Sequence, residues 1–187
     1  MKKIILAIVM LFSISLFAQE YTVDKVHSKV SFKVKHLMIS NVVGYFEEFK
    51  GTYDYDAKTG MLKSLLGEVA VESINTSNAK RDNDLRSSNF FEVSKFPLMK
   101  FKFIKLSDDD LYAYLTIKGV TKKVKFEYEN GGSIKDPWGK NRSAFSIEGK
   151  ISRKEFGIVY NKLLEAGGVM VGDKIKISIE IEGISNK

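Results

Sequence analysis

The 187-residue chain carries 30 Lys and Arg against 23 Asp and Glu, a formal charge of +7, and no cysteine. The missing thiol excludes disulfides, cysteine nucleophiles, cysteine-rich metal sites and attachment to lipid through an N-terminal cysteine. The basic excess is interleaved with Glu and Asp, as from Lys174 to Glu182, with no dense cluster of the kind that grips nucleic acid.

Residues 1–18 have the layout of a secretory signal peptide. Lys2 and Lys3 precede an apolar run from Ile4 to Phe17, relieved only by Ser13 and Ser15, and the run ends at the small Ala18. It is short for a membrane-spanning helix, and Leu16 is bulkier than the residue usually found two positions before a cleavage point. The expectation is a periplasmic or secreted protein with no membrane span once the signal is removed. Taking 18 residues from 187 leaves residues 19–187 as one domain, and losing two lysines lowers the charge from +7 to +5.

Period-two alternation runs through that domain. Val26, Val30, Phe32, Val34 and His36 share one face, and Lys25, His27, Lys29, Lys33 and Lys35 the other. Tyr45, Phe49, Tyr53 and Tyr55 share the next face, up to a turn-like stretch at 56–60, followed by Leu65, Val69 and Val71. Residues 75–88 are polar and hold the one plausible helix. Met99, Phe101 and Phe103 alternate with lysines until the break at 107–110, and Leu111, Ala113, Leu115 and Ile117 follow. A short link at 118–121 leads to Val124, Phe126 and Tyr128. A break from Asn130 through Gly139 precedes Phe145, Ile147 and Ile151. A second long connection at 161–172, with a turn of helix expected at 162–165, leads to Ile175, Ile177, Ile179 and Ile181.

Eight strands with Gly and Asp breaks predict an all-β barrel or sandwich. The first and last ribbons have matching dry faces, and their pairing would close a sheet, remove its edges and enclose a cavity. The wet faces carry Lys and Glu on nearly every strand, which fits a barrel with an apolar interior and not one facing lipid.

The candidate functional residues follow from the inward faces. Tyr45, Phe49, Tyr53, Phe101, Phe103, Phe126 and Phe145 either line a pore or fill a core, and the 13 Phe and 8 Tyr lean toward a pore. Gly67, Ala113 and Gly149 would leave room beside them. His36 either meets a ligand headgroup or is a core histidine with a local hydrogen bond. Metal binding is not expected, because His27 and His36 face opposite ways and no carboxylate is spaced with them. Arg81 and Arg86 with Asp82 could clamp a polar head, or Arg81 and Asp82 could anchor the excursion. Phe90, Phe91 and Phe96 would dock that excursion. Trp138, in a Pro-Trp-Gly turn, could guard a mouth or pack within its own turn. Inward polar groups amount to His36 and Glu47, without a G-x-S-x-G nucleophile, so no catalytic residue is expected. The alternatives are an enzyme acting on a hydrophobic substrate, or a packed barrel acting through its surface.

Several ordered segments together resemble the YceI-like family. They are Val23-Asp-Lys-Val-His-Ser28 leading to Lys35-His36, then Gly44-Tyr-Phe through Phe49-Lys-Gly51, Ser73-Ile-Asn-Thr76 and Lys80-Arg-Asp82. Leu85-Arg-Ser-Ser-Asn-Phe-Phe-Glu-Val93 runs on to Phe96-Pro97, followed by Leu115-Thr-Ile-Lys-Gly-Val-Thr121 and Asp136-Pro-Trp-Gly139. Ser152-Arg-Lys-Glu-Phe-Gly157 and Gly167-Gly-Val-Met-Val-Gly-Asp173 complete the set, and the one departure is Asp84, where many relatives carry His. The resemblance implies an extended eight-stranded antiparallel lipocalin-like barrel with a short helical excursion near one mouth. Its pore would hold a long isoprenoid chain, a quinone tail or polyprenyl phosphate, with no other cofactor and no metal. Phe32, Val34, His36, Tyr45, Phe49, Tyr53, Phe101, Phe103, Leu115, Phe126, Phe145, Ile177 and Ile179 are then the expected ligand-binding residues, and Arg81 and Arg86 the headgroup candidates. Physical chemistry agrees, since each buried methylene contributes about 0.8 kcal/mol and strands of about ten residues span roughly 33 Å.

Overall fold

The computed structural model describes residues 19–163 and 168–185. The segment expected as a signal peptide, and residues 164 and 165 of the helical turn expected at 162–165, lie outside the described residues, while Leu163 bridges Val169 and is not helical. The elements are β1 (Gln19–Val23), β2 (Lys29–His36), β3 (Ser40–Phe46), β4 (Phe49–Asp56), β5 (Met61–Ala70), β6 (Ile74–Asn75), α1 (Ala79–Arg86), β7 (Leu98–Ser107), β8 (Asp110–Ile117), β9 (Val120–Lys135), β10 (Asn141–Ser152) and β11 (Val171–Ser185). Each ladder is antiparallel. The order β1-β4-β5-β7-β8-β9-β10-β11 returns to β1, an eight-stranded closed barrel.

The expected seam between the two ends of the domain is present, with an offset. β11 pairs along Ile175, Ile177 and Ile179 with Val34, Phe32 and Val30 of β2. Its last residues, Gly183 to Ser185, pair instead with Val23 to Tyr21 of β1. The first ribbon is thus two strands separated by a turn, and Val26 is a correction: it is 85% exposed in that turn and off the dry face. Ser28 repairs the broken ladder, since its hydroxyl donates to the Glu182 carbonyl at 3.1 Å and accepts from the Glu182 N–H at 3.0 Å.

The second ribbon is broken in the same way. Glu47 and Glu48 separate β3 from β4, so Phe46 is buried and Tyr45 turns to the other face, where it pairs across to Asn75. Glu47 is exposed and accepts from the Asn75 side chain at 2.7 Å, so it is not an inward group. The break expected from Asn130 is narrower than the sequence suggests. β9 continues to Lys135 and absorbs Gly131 as an extra residue where Ala144 pairs Gly132 and Phe145 pairs Asn130. Only the turn after Lys135 interrupts the hairpin, and Trp138 there is 81% exposed, neither packed in its turn nor over a cavity. The expected helix forms over 79–86, its first turn capped by Asn78, whose side chain accepts from the Arg81 N–H.

One end of the barrel is sealed by aromatic side chains. Tyr21 stacks on Tyr53 with ring centroids 5.3 Å apart, and Phe145 meets Tyr53 edge-on at 5.1 Å. Tyr53 donates to the Ser143 carbonyl at 2.9 Å and Tyr55 to the Asn130 side chain at 2.7 Å. Burial pushes the Tyr53 and Tyr128 phenols up from their ordinary range. Among the described residues, the Tyr128 hydroxyl is buried without a hydrogen-bond partner.

Outside this plug, Arg142 ties the seam together. Its guanidinium donates to Asp24 at 3.0 Å, to Glu182 at 2.6 Å and to Asp136 at 2.8 Å. The His27 hydrogen bond, with help from Arg142, holds the Asp24 carboxyl below its ordinary range, and Arg142 does the same for Asp136.

Two outcomes are expected. Tyr128→Phe removes an unsatisfied buried hydroxyl, so the melting temperature should hold or rise, by up to a few degrees for roughly 1 kcal/mol recovered; a fall of several degrees would show that the hydroxyl is bonded after all. The carboxylates of Asp24 and Asp136 stabilise the fold while ionised. That contribution is therefore complete above the unfolded value of 3.8 and lost as pH falls through the depressed folded values. Thermal melts stepped down through this acid range should show the loss, and Arg142→Gln should flatten it while lowering the neutral-pH melting temperature.

Candidate functional site

Above the tyrosine plug the barrel encloses a cavity of about 180 Å³. The seam supplies one wall, Val30, Phe32 and Val34 from β2 against Ile175, Ile177, Ile179 and Ile181 from β11. The opposite wall is Phe49, Leu65, Val69, Met99 and Phe101, with Leu115, Phe126, Ile147 and Ile151 between. At the end away from the plug, the α1 excursion contributes Leu85, Phe90 and Phe91, and the 153–158 turn contributes Phe156 and Ile158. Phe91 meets Phe46 edge-on at 6.4 Å and Phe90 packs on Tyr160 at 5.0 Å, which fixes both segments over this mouth. Phe96 docks elsewhere, against Gly119 of the β8–β9 turn.

Two glycines shape the lumen. A Cβ at Gly149 would lie 2.3 Å from the Phe126 ring, and one at Gly44 would lie 2.5 Å from the Phe32 ring. The space that Gly149 leaves is therefore taken by Phe126, not by the lumen. Gly67 is different: it lines the cavity, and a Cβ there would meet nothing closer than Phe101 at 3.7 Å.

Of the residues expected to bind ligand, Phe32, Val34, Phe49, Phe101, Leu115, Phe126, Ile177 and Ile179 line this cavity. Tyr53 and Phe145 face inward but belong to the plug, and Phe103 packs on the core toward the plug end. Tyr45 is on the wrong face because of the break after Phe46. His36 is the last residue of β2, half-buried, one inward position beyond Val34 and off the cavity wall. The headgroup candidates do not reach the wall either. Arg81 donates to the Thr76 hydroxyl at 2.7 Å and carbonyl at 2.8 Å, and Asp82 accepts from the Thr76 N–H at 3.0 Å. They anchor the excursion through Thr76. Arg86 donates to the Glu72 and Ile74 carbonyls, at 2.8 and 2.9 Å.

Beside Lys50 and Lys100, the cavity lining includes a buried cation that sequence reasoning passed over. Arg153 is 4% exposed, and its guanidinium donates to the carbonyls of Gly172 at 2.9 Å, Ile158 at 2.7 Å and Val171 at 3.2 Å. Burial lowers its pKa from the ordinary value, opposed by Asp173. The polar run Ser152-Arg-Lys-Glu disguised a buried residue. The only hint was the left-handed Gly157 four positions on, which folds Phe156 and Ile158 back over the mouth.

Among the described residues, Asp24, His27 and Glu182 bring potential ligand atoms within 4.8 Å of one another. This corrects the expectation that no carboxylate accompanies a histidine. The two carboxylates already hold Arg142, which a cation would have to displace.

Chemically, the site is a largely apolar tube with a carbonyl-bound guanidinium near its mouth and Lys50, Glu68 and Lys100 also on its lining. A cavity of roughly 150 Å³ lined by Leu, Ile and Phe stays dry and accepts apolar guests, and this one is larger.

Comparison with known proteins agrees with that architecture. A family model for the YceI-like domain matches residues 21–183. A UPF0312 protein of Staphylococcus epidermidis is 36% identical over 164 residues, covering 87% of this chain and 96% of its own. A Staphylococcus aureus relative is 35% identical, covering 87% and 95%. The crystal structure of the Campylobacter jejuni YceI protein is 33% identical with a TM-score of 0.70, over 83% of this chain and 91% of that one. A polyisoprenoid binding domain from Saccharophagus degradans, 13% identical, shares the fold with a TM-score of 0.66 over 88% and 98%. The chain belongs to the YceI-like family.

Proposed function

We propose that this protein is an exported, non-catalytic carrier that holds a long-chain isoprenoid lipid inside its barrel. The observation that carries the reading is the apolar cavity running from the tyrosine plug to the α1 mouth. Burying an isoprenoid tail there removes it from water at about 0.8 kcal/mol per methylene. The Saccharophagus degradans domain described as polyisoprenoid binding has the same barrel, which supports the choice of ligand class. Arg153 sets a positive charge near the mouth, suited to an anionic or carbonyl-bearing head. Its three bonds to backbone carbonyls keep the guanidinium fixed there. Ser31, the hydroxyl of the lining, donates to the Ser178 carbonyl at 3.0 Å, which supports reading the wall as a binding surface.

Native mass spectrometry of protein recovered from its own host should show a co-purified long-chain isoprenoid, and emptied protein should take up a polyprenyl phosphate. Gly67→Phe adds a side chain to the lumen where a Cβ fits without clash. It should keep the melting temperature within a few degrees and abolish uptake. A protein that repeatedly comes out empty and takes up nothing would overturn the carrier reading. A product formed from the lipid during incubation would make the cavity an active site instead.

A further inference from the structure

Both ends of the barrel are held by bonds that a passing guest would have to break. At one end the Tyr53 and Tyr55 hydroxyls are bonded to Ser143 and Asn130. At the other, the roof hangs on the Thr76 anchor with Arg81 and Asp82, and on three carbonyl bonds from Arg153. The side wall is looser at a place just below that roof.

β9 and β10 pair from Lys135 opposite Asn141 to Glu127 opposite Glu148, and there their ladder ends. Both strands go on toward the mouth. Residues 120–126 of β9 stay paired to β8, and residues 149–152 of β10 to β11. The wall is therefore split from Phe126 and Gly149 upward, and each lip keeps its own outer neighbour. Behind the split is the lumen, since Phe126 and Ile151, one on each lip, both line it. The ladder between β5 and β7 also stops early, leaving residues 61–65 of β5 unpaired with β7, but at the plug end. There Leu62 and Leu111 are packed in the core behind the wall, and neither lines the cavity.

The side chains at the β9–β10 split do not tie its lips together. The last rung sets Glu127 against Glu148, and carrying the register two residues further would set Lys125 against Lys150. Like charges directly opposite destabilise a strand pair. The charges that are bonded turn outward to the flanking strands. Lys125 donates to Asp110 of β8 at 2.8 Å, and Glu148 accepts from Lys176 of β11 at 2.6 Å and from Ser178 at 3.0 Å. What fills the split is one ring. Phe126 lies so close over Gly149 that a Cβ there would be 2.3 Å from it. A ring held by packing alone can change rotamer without breaking a hydrogen bond.

We propose that residues 120–126 of β9 and 149–152 of β10 form a lateral gate, whose lips part as Phe126 leaves Gly149 and let an apolar chain enter or leave the cavity sideways. The gate rests on the carrier reading of the cavity and adds to it the route of exchange. Opening there breaks no rung between the two strands and disturbs neither the tyrosine plug nor the anchored roof, so it is the least costly way in.

The test closes the gate chemically. The chain has no cysteine, so Lys125→Cys with Lys150→Cys supplies one pair, at exposed positions, for a short bismaleimide to link across the lips. Stopped flow follows uptake of Nile red, an apolar dye that fluoresces out of water, and its release on displacement by geranylgeraniol. The link should slow both steps at least about tenfold relative to the unlinked variant. The control pair, Glu129→Cys with Ser146→Cys, links the same strands at a paired rung and should change either rate by less than about twofold. Phe126→Leu, with a smaller side chain over Gly149, should release the dye about fivefold faster. Rates unchanged by the gate link, rates slowed as much by the control link, or release from Phe126→Leu as slow as from the parent would each overturn the gate and leave the carrier reading standing. Refusal of both dye and geranylgeraniol by every form would overturn the carrier reading, and the gate with it.

Discussion

The register of the seam between β11 and the first two strands is the constraint on which the rest depends. One long strand pairs with two short ones, β2 along most of its length and β1 at its end. Closure removes the sheet edges, as any barrel does. The register does more, because it places Ile175, Ile177 and Ile179 level with Val34, Phe32 and Val30 on the inner side. A slip of β11 by one residue would turn Lys174 and Lys176 into the lumen and its isoleucines to water. The dry interior is therefore a property of the register, and the hydroxyl of Ser28, bonded twice to Glu182, pins that register where the first ribbon breaks.

From the seam outward, the same strands give the two barrel ends opposite character. Toward Ser185 they converge on tyrosines whose rings fill the interior and whose hydroxyls, Tyr128 apart, find partners at the rim. Toward Val171 they bear aliphatic side chains that meet only part way, and the space is roofed by Phe90, Phe91, Phe156 and Ile158 from non-strand segments. The roof is held by polar anchors, namely Thr76 with Arg81 and Asp82, and Arg153 with three carbonyls. Arginine suits this work, since a buried guanidinium bonded to carbonyls satisfies several acceptors at once.

Much of this was legible in the sequence, and the failures have a common cause. Alternation reports which face a side chain occupies, so the strands, the seam and the inward Phe32, Phe101, Phe126 and Ile177 could be read directly. It does not report height along the barrel, and Tyr53 and Phe145 therefore passed for cavity residues. Nor does it survive a break lacking Gly or Pro. Asp24 to Ser28 and Glu47-Glu48 interrupt their strands with ordinary polar residues, and Val26 and Tyr45 were carried to the wrong face. Conversely, the Asn130-Gly-Gly132 signal marked a bulge within β9, not its end. Arg153 was illegible because its partners are backbone carbonyls, which no residue pattern identifies.

The cavity bears on function through stability as well as shape. Apolar surface left lining a cavity instead of packed costs a fold about 25 cal/mol per Å². The chain could have closed the gap with larger side chains, as it does with tyrosines a few ångströms away. At Gly67 it leaves room that a side chain would fill without clash, and at Gly44 and Gly149 it draws the Phe32 and Phe126 rings back against the wall. A core built only for stability would fill this space. A guest that fills it recovers the cost and stabilises the fold in proportion to its binding, so here the stability of the barrel and the retention of its ligand are one quantity.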